Sequence, residues 1–206
     1  MEEGSTTEAR RGPGTPGPDA EDLQAVAETL RGNTEAFRII VDHHNARIYR
    51  LANSYLGNRE DAEEASQEIF FKAFRSLRSF RLEKPFLPWL YAVAMNHLRT
   101  RYARIRRVEE RIVRNGGEVP TAAAEDSPAA VVESTEAREE IRRAIAFLPA
   151  GIREAVSLYY LEALSVSEVS VVLGIGVENV KSRLFRGRKM LKEILGPGAT
   201  GEPSAR

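Results

Sequence analysis

The chain has 206 residues, 30 of them basic and 30 acidic, and a formal net charge of zero, so overall charge neither marks nor excludes a nucleic-acid partner. It has no cysteine, which excludes disulfides and thiolate metal sites. No apolar run approaches the roughly 20 residues of a membrane span and no signal-peptide core opens the chain, so a cytoplasmic protein without membrane insertion is expected.

Residues 1–20, rich in Gly, Pro, Thr and Glu, cannot bury enough surface to fold and read as a disordered tail, with order beginning near Asp22. Leu23, Val26, Ala27 and Leu30 keep helical spacing up to Gly32. Asn33 or Thr34 can cap the next helix, whose apolar side is Phe37, Ile40, Val41, Ile48, Leu51 and Tyr55 and which ends at Gly57–Asn58. His43 and His44 lie inside it. Neighbours on a helix project about 100° apart, which makes a poor metal pair, and a surface position is expected for both.

Over residues 59–78, Ala62, Ala65, Ser66, Ile69, Phe70, Ala73, Phe74 and Leu77 share one broad face. Glu64, Gln67, Glu68, Phe71 and Arg75 share the opposite one. Asp61, Glu63 and Glu64 suit the positive end of the helix dipole, which accounts for some of the acids. It does not account for Phe71 among them. An aromatic ringed by acids and an amide fits a docking surface for a basic protein partner.

A loop at 79–88, broken by Pro85 and Pro88, leads into a helix over residues 89–104 or slightly beyond, with Trp89, Leu90, Val93, Ala94 and Leu98 inward. Residues 89–114 hold seven arginines against Glu109 and Glu110, whereas 118–140 hold seven acids against Arg138 alone. Phosphates respond to local sign within a Debye length of about 10 Å, so the zero sum is no veto. Trp89 and Tyr91 beside the arginines have the chemistry to stack unpaired bases, although for Trp89 alone a core anchor is the simpler reading. Residues 115–132 are Gly, Ala, Pro, Ser and acid, a linker whose eighteen residues extend to about 60 Å. A helix is expected over 133–148, then a turn at Pro149 into 152–161; there is no internal repeat.

Residues 164–195 read as a short helix, a Gly174–Ile175–Gly176 turn and a longer basic helix, which is helix-turn-helix order. Val177, Val180, Leu184 and Leu191 form a narrow apolar stripe; Glu178, Lys181, Ser182, Phe185, Arg186 and Lys189 lie opposite. Arg183 and Arg188 flank the stripe, where guanidinium arms reach phosphates. A solvated basic face would be the bland reading, but a large wet aromatic, Phe185, calls for a partner.

Together these stretches resemble the extracytoplasmic-function (ECF) group of bacterial sigma-70 sigma factors over about residues 22–195. REDAEEASQEIFFKAF (59–74) looks like the family's segment that docks on the clamp helices of the RNA polymerase β′ subunit, Asp61, Glu64, Gln67 and Glu68 matching D-A-E-D-x-x-Q-E. PFLPWLYAVAMNHLRTRYAR (85–104) is similar to the segment that melts and reads the −10 element, Trp89, Leu90, Tyr91 and Asn96 fitting W-L-Y-x-x-A-x-N. Residues 161–195 match the domain that reads the −35 element, with Val180–Leu184 (VKSRL) as the most specific signature. Ala92 and Met95 stand where basic residues are common, Ala65 and Ser66 replace an aliphatic pair, which loosens packing of the docking helix, and Gly176 replaces a capping Ser.

The resemblance implies an all-α protein of two small helical domains joined by a flexible linker: a 1–20 tail, a region 2-like domain at 21–108, an acidic linker at 109–132, a region 4-like helix-turn-helix domain at 133–196 and a 197–206 tail. It implies Asp61, Glu64, Gln67, Glu68 and Phe71 at the polymerase, and Trp89, Tyr91, Asn96, Arg99, Arg101 and Arg104 at the −10 element. At the −35 element it implies Glu178, Asn179, Lys181, Ser182, Arg183, Phe185, Arg186 and Arg188, with Lys181 and Arg186 on base edges. Implied partners are core RNA polymerase (β′ clamp helices and β flap), promoter DNA and an anti-sigma factor. No HExxH, phosphate loop or nucleophile–base pair occurs, so neither enzyme chemistry nor a cofactor is expected. A stand-alone helix-turn-helix regulator and a purely protein-binding helical adaptor are the rival classes.

Overall fold

The computed structural model describes residues 18–115, 140–141 and 143–196, and all their regular structure is helical. Residues 1–17, 116–139, 142 and 197–206, which hold most of the expected N-terminal tail, the linker after residue 115, the start of the helix expected over 133–148 and the C-terminal tail, fall outside the described residues. The helices are α1 (Pro18–Leu30), α2 (Phe37–Leu56), α3 (Arg59–Ser76), α4 (Phe86–Arg114), α5 (Ala150–Val156), α6 (Val166–Leu173) and α7 (Val177–Leu195). A helical stretch at 143–146 precedes α5. Order therefore reaches back to Pro18, four residues before the expected start.

Helix ends follow local chemistry. Asn33 does not cap α2: its side chain donates to Glu28, and a 3₁₀ turn at Thr34–Ala36 leads into the helix. Gly57 closes α2 in the left-handed conformation, φ 71°, and the Asn58 side chain accepts from the Asp61 N–H at 2.9 Å to open α3. The loop expected up to residue 88 ends at Pro85, because Pro88 sits in the first turn of α4, where no N–H is needed. At its other end α4 runs to Arg114, taking in residues 109–114 of the expected linker. Up to Asn115 the chain offers helix-forming Arg, Glu and Ile with no Gly or Pro to stop it.

The core forms where helical stripes meet. Ile40, Ile48, Leu51 and Tyr55 of α2 face Ala62, Ala65, Ile69 and Ala73 of α3, all at most 2% exposed. Ala65 and Ser66 are both buried, and Ser66 returns its hydroxyl to the Ala62 carbonyl at 2.6 Å, so the small pair lets α3 sit close rather than loosening it. Phe74, expected in the core, is only part covered and meets Phe37 edge-on at 5.2 Å. From α4, Phe86, Leu90, Tyr91, Ala94, Met95 and Leu98 are sealed, each aliphatic or aromatic one stabilising the fold by about 1.5–3 kcal/mol. The same buried cluster continues into Val156, Leu158, Val169, Val180 and Leu184, so α4 packs against α6 and the two halves share a core.

In the C-terminal half, Ser165 and Glu168 form a reciprocal capping box at α6, and Gly174, φ 65°, ends it. Ser170 ties the turn by donating to the Ile175 carbonyl at 2.6 Å. Gly176 opens α7 without a side-chain cap. Val180, Leu184, Gly187 and Leu191 bury α7 against α5, while Val177 remains outside. A Cβ at Gly187 would stand 2.5 Å from Val156 Cγ2, so this glycine sets how closely the two helices approach.

Of the histidine pair, His43 lies on the surface as expected, whereas His44 is buried. Asp22 of α1, fully buried, accepts from His43 Nδ1 at 2.8 Å and from buried His44 Nε2 at 2.6 Å. Burial pushes the Asp22 carboxyl up, but the hydrogen bonds from His44 and His43 outweigh it and hold the group below its ordinary range. A carboxylate with a depressed folded pKa adds stability above its unfolded value, and that stability is lost as pH falls through the folded one. Asp22→Asn removes the charge that both rings bind and should cost about 1.5–3 kcal/mol near neutral pH, with the deficit shrinking in acid. Urea unfolding of both proteins at several pH values measures it.

Candidate protein and nucleic-acid interfaces

Three surfaces carry the residues singled out by sequence. On α3, Phe71 stands 62% exposed with the Arg75 guanidinium 5.7 Å over its ring, and Glu64 and Gln67 are exposed beside it. The acids there are not loose. Arg101 Nη2 reaches Asp61 Oδ1 at 2.5 Å and Glu64 Oε2 at 2.6 Å. Buried His97 accepts from Lys72 Nζ at 2.7 Å through Nδ1 and brings Nε2 to 3.3 Å from Glu68. Burial first, then the Lys72 charge, lower the His97 pKa, consistent with a neutral ring.

The α4 candidates divide. Asn96 and Arg104 are exposed, and Trp89 is half-buried between Phe80 and Phe86, with ring centroids at 5.3 and 5.5 Å. Three others turn inward here. Tyr91 is completely buried and donates to Glu162 Oε2 at 2.5 Å. Arg99 makes a two-pronged bond to Glu154, 2.8 Å from each nitrogen, and Arg101 faces α3 as described. These three are not DNA-facing in this arrangement, because each finds a buried or part-buried carboxylate at closer range.

On α7, Glu178, Asn179, Lys181, Phe185 and Arg186 are exposed, Phe185 at 64%. Lys181 pairs with Glu178 at 2.8 Å, and Arg186 donates to Ser182 Oγ at 3.0 Å, which leaves its charge unneutralised by that contact. Arg188 reaches the Tyr160 hydroxyl at 3.3 Å. Arg183 folds back instead: it donates to the Gly151 carbonyl at 3.1 Å and lies 4.0 Å from Glu154, because half-buried positions beside the stripe face α5.

Sequence reasoning missed the contact that joins the halves. The Tyr55 hydroxyl and Arg99 converge on Glu154, which is 5% exposed. Its neighbour Arg153, also buried, donates to the Tyr55 carbonyl at 3.1 Å and lies 5.1 and 4.6 Å from the rings of Tyr55 and Tyr102. Burial, then the Glu154 charge, push the Tyr55 phenol up, so it stays a donor. Glu162, pushed up by burial and eased down by the Tyr91 bond and Arg50 and Arg47, forms the second contact. The one available signal was register: Arg153 and Glu154 fall in an otherwise apolar helix. Among the described residues no cluster of metal-ligating side chains occurs, and no helix is long and apolar enough to cross a membrane.

Residues 40–108 match the family model Sigma-70 region 2, and residues 138–191 match Sigma-70, region 4. The chain is similar to the ECF RNA polymerase sigma factor SigW of Bacillus subtilis, 32% identical over 179 residues, which spans 82% of this chain and 94% of that one. It is also 32% identical to the ECF RNA polymerase sigma-E factor of Haemophilus influenzae over 182 residues, 84% of this chain and 95% of that one. Among solved structures, CnrH in complex with the cytosolic domain of CnrY superposes with a TM-score of 0.63 at 25% identity, covering 85% of this chain and 97% of its own. RpoE of Bartonella quintana, solved with the anti-sigma factor NepR, shares the fold at a TM-score of 0.63 and 21% identity, over 77% of this chain and 96% of that one.

Glu154 tests the join directly. Glu154→Ala leaves Arg99 and the Tyr55 hydroxyl without their shared acceptor, and removal of one partner from a buried pair should lower unfolding free energy by about 3 kcal/mol. Chemical denaturation followed by far-UV circular dichroism reads the change.

Proposed function

The chain belongs to the ECF group of sigma-70 RNA polymerase sigma factors, and from that premise we propose how its surfaces divide the work. As a sigma factor it directs RNA polymerase to start transcription at specific promoters. The polymerase performs the chemistry; this chain contributes docking and recognition, with no catalytic group and no cofactor of its own, in the cytoplasm where polymerase and promoter are. The α3 face, with Asp61, Glu64, Gln67, Glu68 and Phe71, docks on the β′ clamp helices, and the region 4-like half meets the β flap. Trp89, Asn96 and Arg104 of α4 capture the melted −10 strand. Tyr91 and Arg99 join them only when α5 and Glu162 withdraw from α4. The domain boundaries we assign are 21–108 and 133–196.

The observation that carries the reading is Phe185, 64% exposed on the second helix of a helix-turn-helix, flanked by Lys181 and Arg186. On that helix Glu178, Asn179, Lys181, Ser182, Phe185 and Arg186 enter the major groove of the −35 element, and Arg188 holds phosphate. Arg183, turned onto Gly151, positions α7 and reaches phosphate only after that bond breaks. An anti-sigma partner belongs to the same reading; the structural neighbour CnrH was solved in complex with another protein segment, the cytosolic domain of CnrY.

Run-off transcription on genomic fragments, with core polymerase plus or minus this chain, tests the whole. New start sites should appear only when it is present, and start sites unchanged by its addition would overturn the reading. Within the −35 half, Arg186→Ala should cost about 1–3 kcal/mol on the cognate promoter and relax preference at one base pair. Arg188→Ala should weaken binding to all sequences alike and flatten its salt dependence, as titration at several salt concentrations would reveal.

A further inference from the structure

Arg101 lies in the arginine-rich stretch that the −10 motif occupies, yet its guanidinium points to the other surface. It follows buried Leu98 by three positions and therefore turns toward α3, where its side chain is only 14% exposed. A single nitrogen, Nη2, bridges Asp61 and Glu64. These two acids are neighbours on one helical face, and their carboxylates would repel each other without a shared cation. Each gives one oxygen to Arg101. Glu64 remains 63% and Asp61 34% exposed, so both keep carboxylate surface for an incoming cation. One turn earlier on α4, His97 lies beside the next acid along α3, accepting from Lys72 and bringing Nε2 to 3.3 Å from Glu68 without a hydrogen bond to it. The α4 helix thus backs the acidic face of α3 at two successive turns.

We propose that Arg101, seconded by His97, is a positioning residue for polymerase docking: it holds Asp61 and Glu64 in the orientation that meets a basic partner and does not itself read DNA. The proposal rests on the assignment of the α3 acids to polymerase docking. Long exposed carboxylate side chains lose rotamer freedom when they bind, and a bridge that fixes them beforehand removes that loss from association. Two acids on one guanidinium still leave the trio with a net negative charge, so the face keeps its attraction for a cationic surface. Lysine cannot copy the bridge well, because a guanidinium presents its donors in a fixed planar fork and an ammonium is a compact charge on a flexible stem.

The test uses the full chain in competition binding to core RNA polymerase. Arg101→Gln should weaken binding on the order of tenfold, and Arg101→Lys should recover only part of it. In an Asp61→Asn, Glu64→Gln background the same Arg101→Gln change should alter affinity less than about twofold, because nothing remains to position; a general loss of fold would weaken both backgrounds equally. Holoenzyme assembled at saturating sigma should bind a single-stranded −10 oligonucleotide with affinity unchanged within about twofold. Unchanged or tighter core binding by Arg101→Gln overturns the proposal, and so does a loss confined to the oligonucleotide. If Asp61→Asn, Glu64→Gln by itself leaves core affinity intact, the docking assignment fails, and the proposal falls with it.

Discussion

Glu154 sits where the two helical halves join, its carboxylate buried and both oxygens on Arg99, and a charge so placed dictates what can stand around it. A buried carboxylate without partners is far too costly to keep, so α4 must present a cation and α2 a hydroxyl at that point. Arg99 and Tyr55 supply them. Arg153, next in the chain, then needs its own compensation and finds it on the Tyr55 carbonyl and the faces of Tyr55 and Tyr102. Such an ion pair adds less net stability than apolar packing of the same volume. What it fixes here is geometry, because neither charge is satisfied by a slipped or rotated α5. The Tyr91–Glu162 bond is a second point of the same join, and two points set the azimuth of α5–α7 on α4.

That join explains which surfaces are open. The acidic face of α3 and the basic face of α7 both lie away from it, which is why Phe71 and Phe185 are exposed to nearly the same degree, 62% and 64%. The inner half of α4 lies beneath it, so Tyr91 and Arg99 are engaged within the chain. Of the three surfaces, two are presented and one is partly covered, a consequence of where two carboxylates happen to be buried.

Legibility in the sequence followed the range of the interaction. Periodicity located α2, α3, α6 and α7, and the Gly174 turn and the order of the motifs were readable because they depend on residues within one or two turns of each other. The corrections at buried charged groups concern a partner farther away. His44 reads as a surface residue, and only Asp22, 22 positions earlier, compensates its burial. Arg101 reads as one more arginine in a basic run, yet Asp61 lies 40 positions away, and Glu154 lies 55 positions from Arg99. Charged side chains default to solvent in any single-sequence argument, because their burial depends on an opposite group that only the fold brings near. The extension of α4 to Arg114 is different in kind: the apolar stripe that signals a packed helix fades after Leu98, with Val108 and Val113 exposed, and propensity alone carries the rest.

The same pairing changes how the charge segregation should be understood. Seven arginines in residues 89–114 suggest a strong positive field along α4, but Arg99, Arg101 and Arg106 each contact a carboxylate, from α5, α3 and α4 itself. The first two are neutralised at short range by carboxylates 2.5–2.8 Å away, so little of their field reaches a phosphate a Debye length of about 10 Å away. The Arg106–Glu109 pair is exposed and weaker, but it too subtracts from the sum. On α7 the balance differs: Lys181 pairs with exposed Glu178, a contact that water screens and that a phosphate can displace, and Arg186 bonds only an uncharged hydroxyl. Counting residues makes α4 the more basic helix, whereas after these pairings, and that of Arg183 with Glu154, four basic residues remain on each: Arg104, Arg107, Arg111 and Arg114 on α4, and Arg186, Arg188, Lys189 and Lys192 on α7. Pairing thus removes the advantage that composition gives α4, and α7 carries as many unpaired cations on a shorter helix, 19 residues against 29.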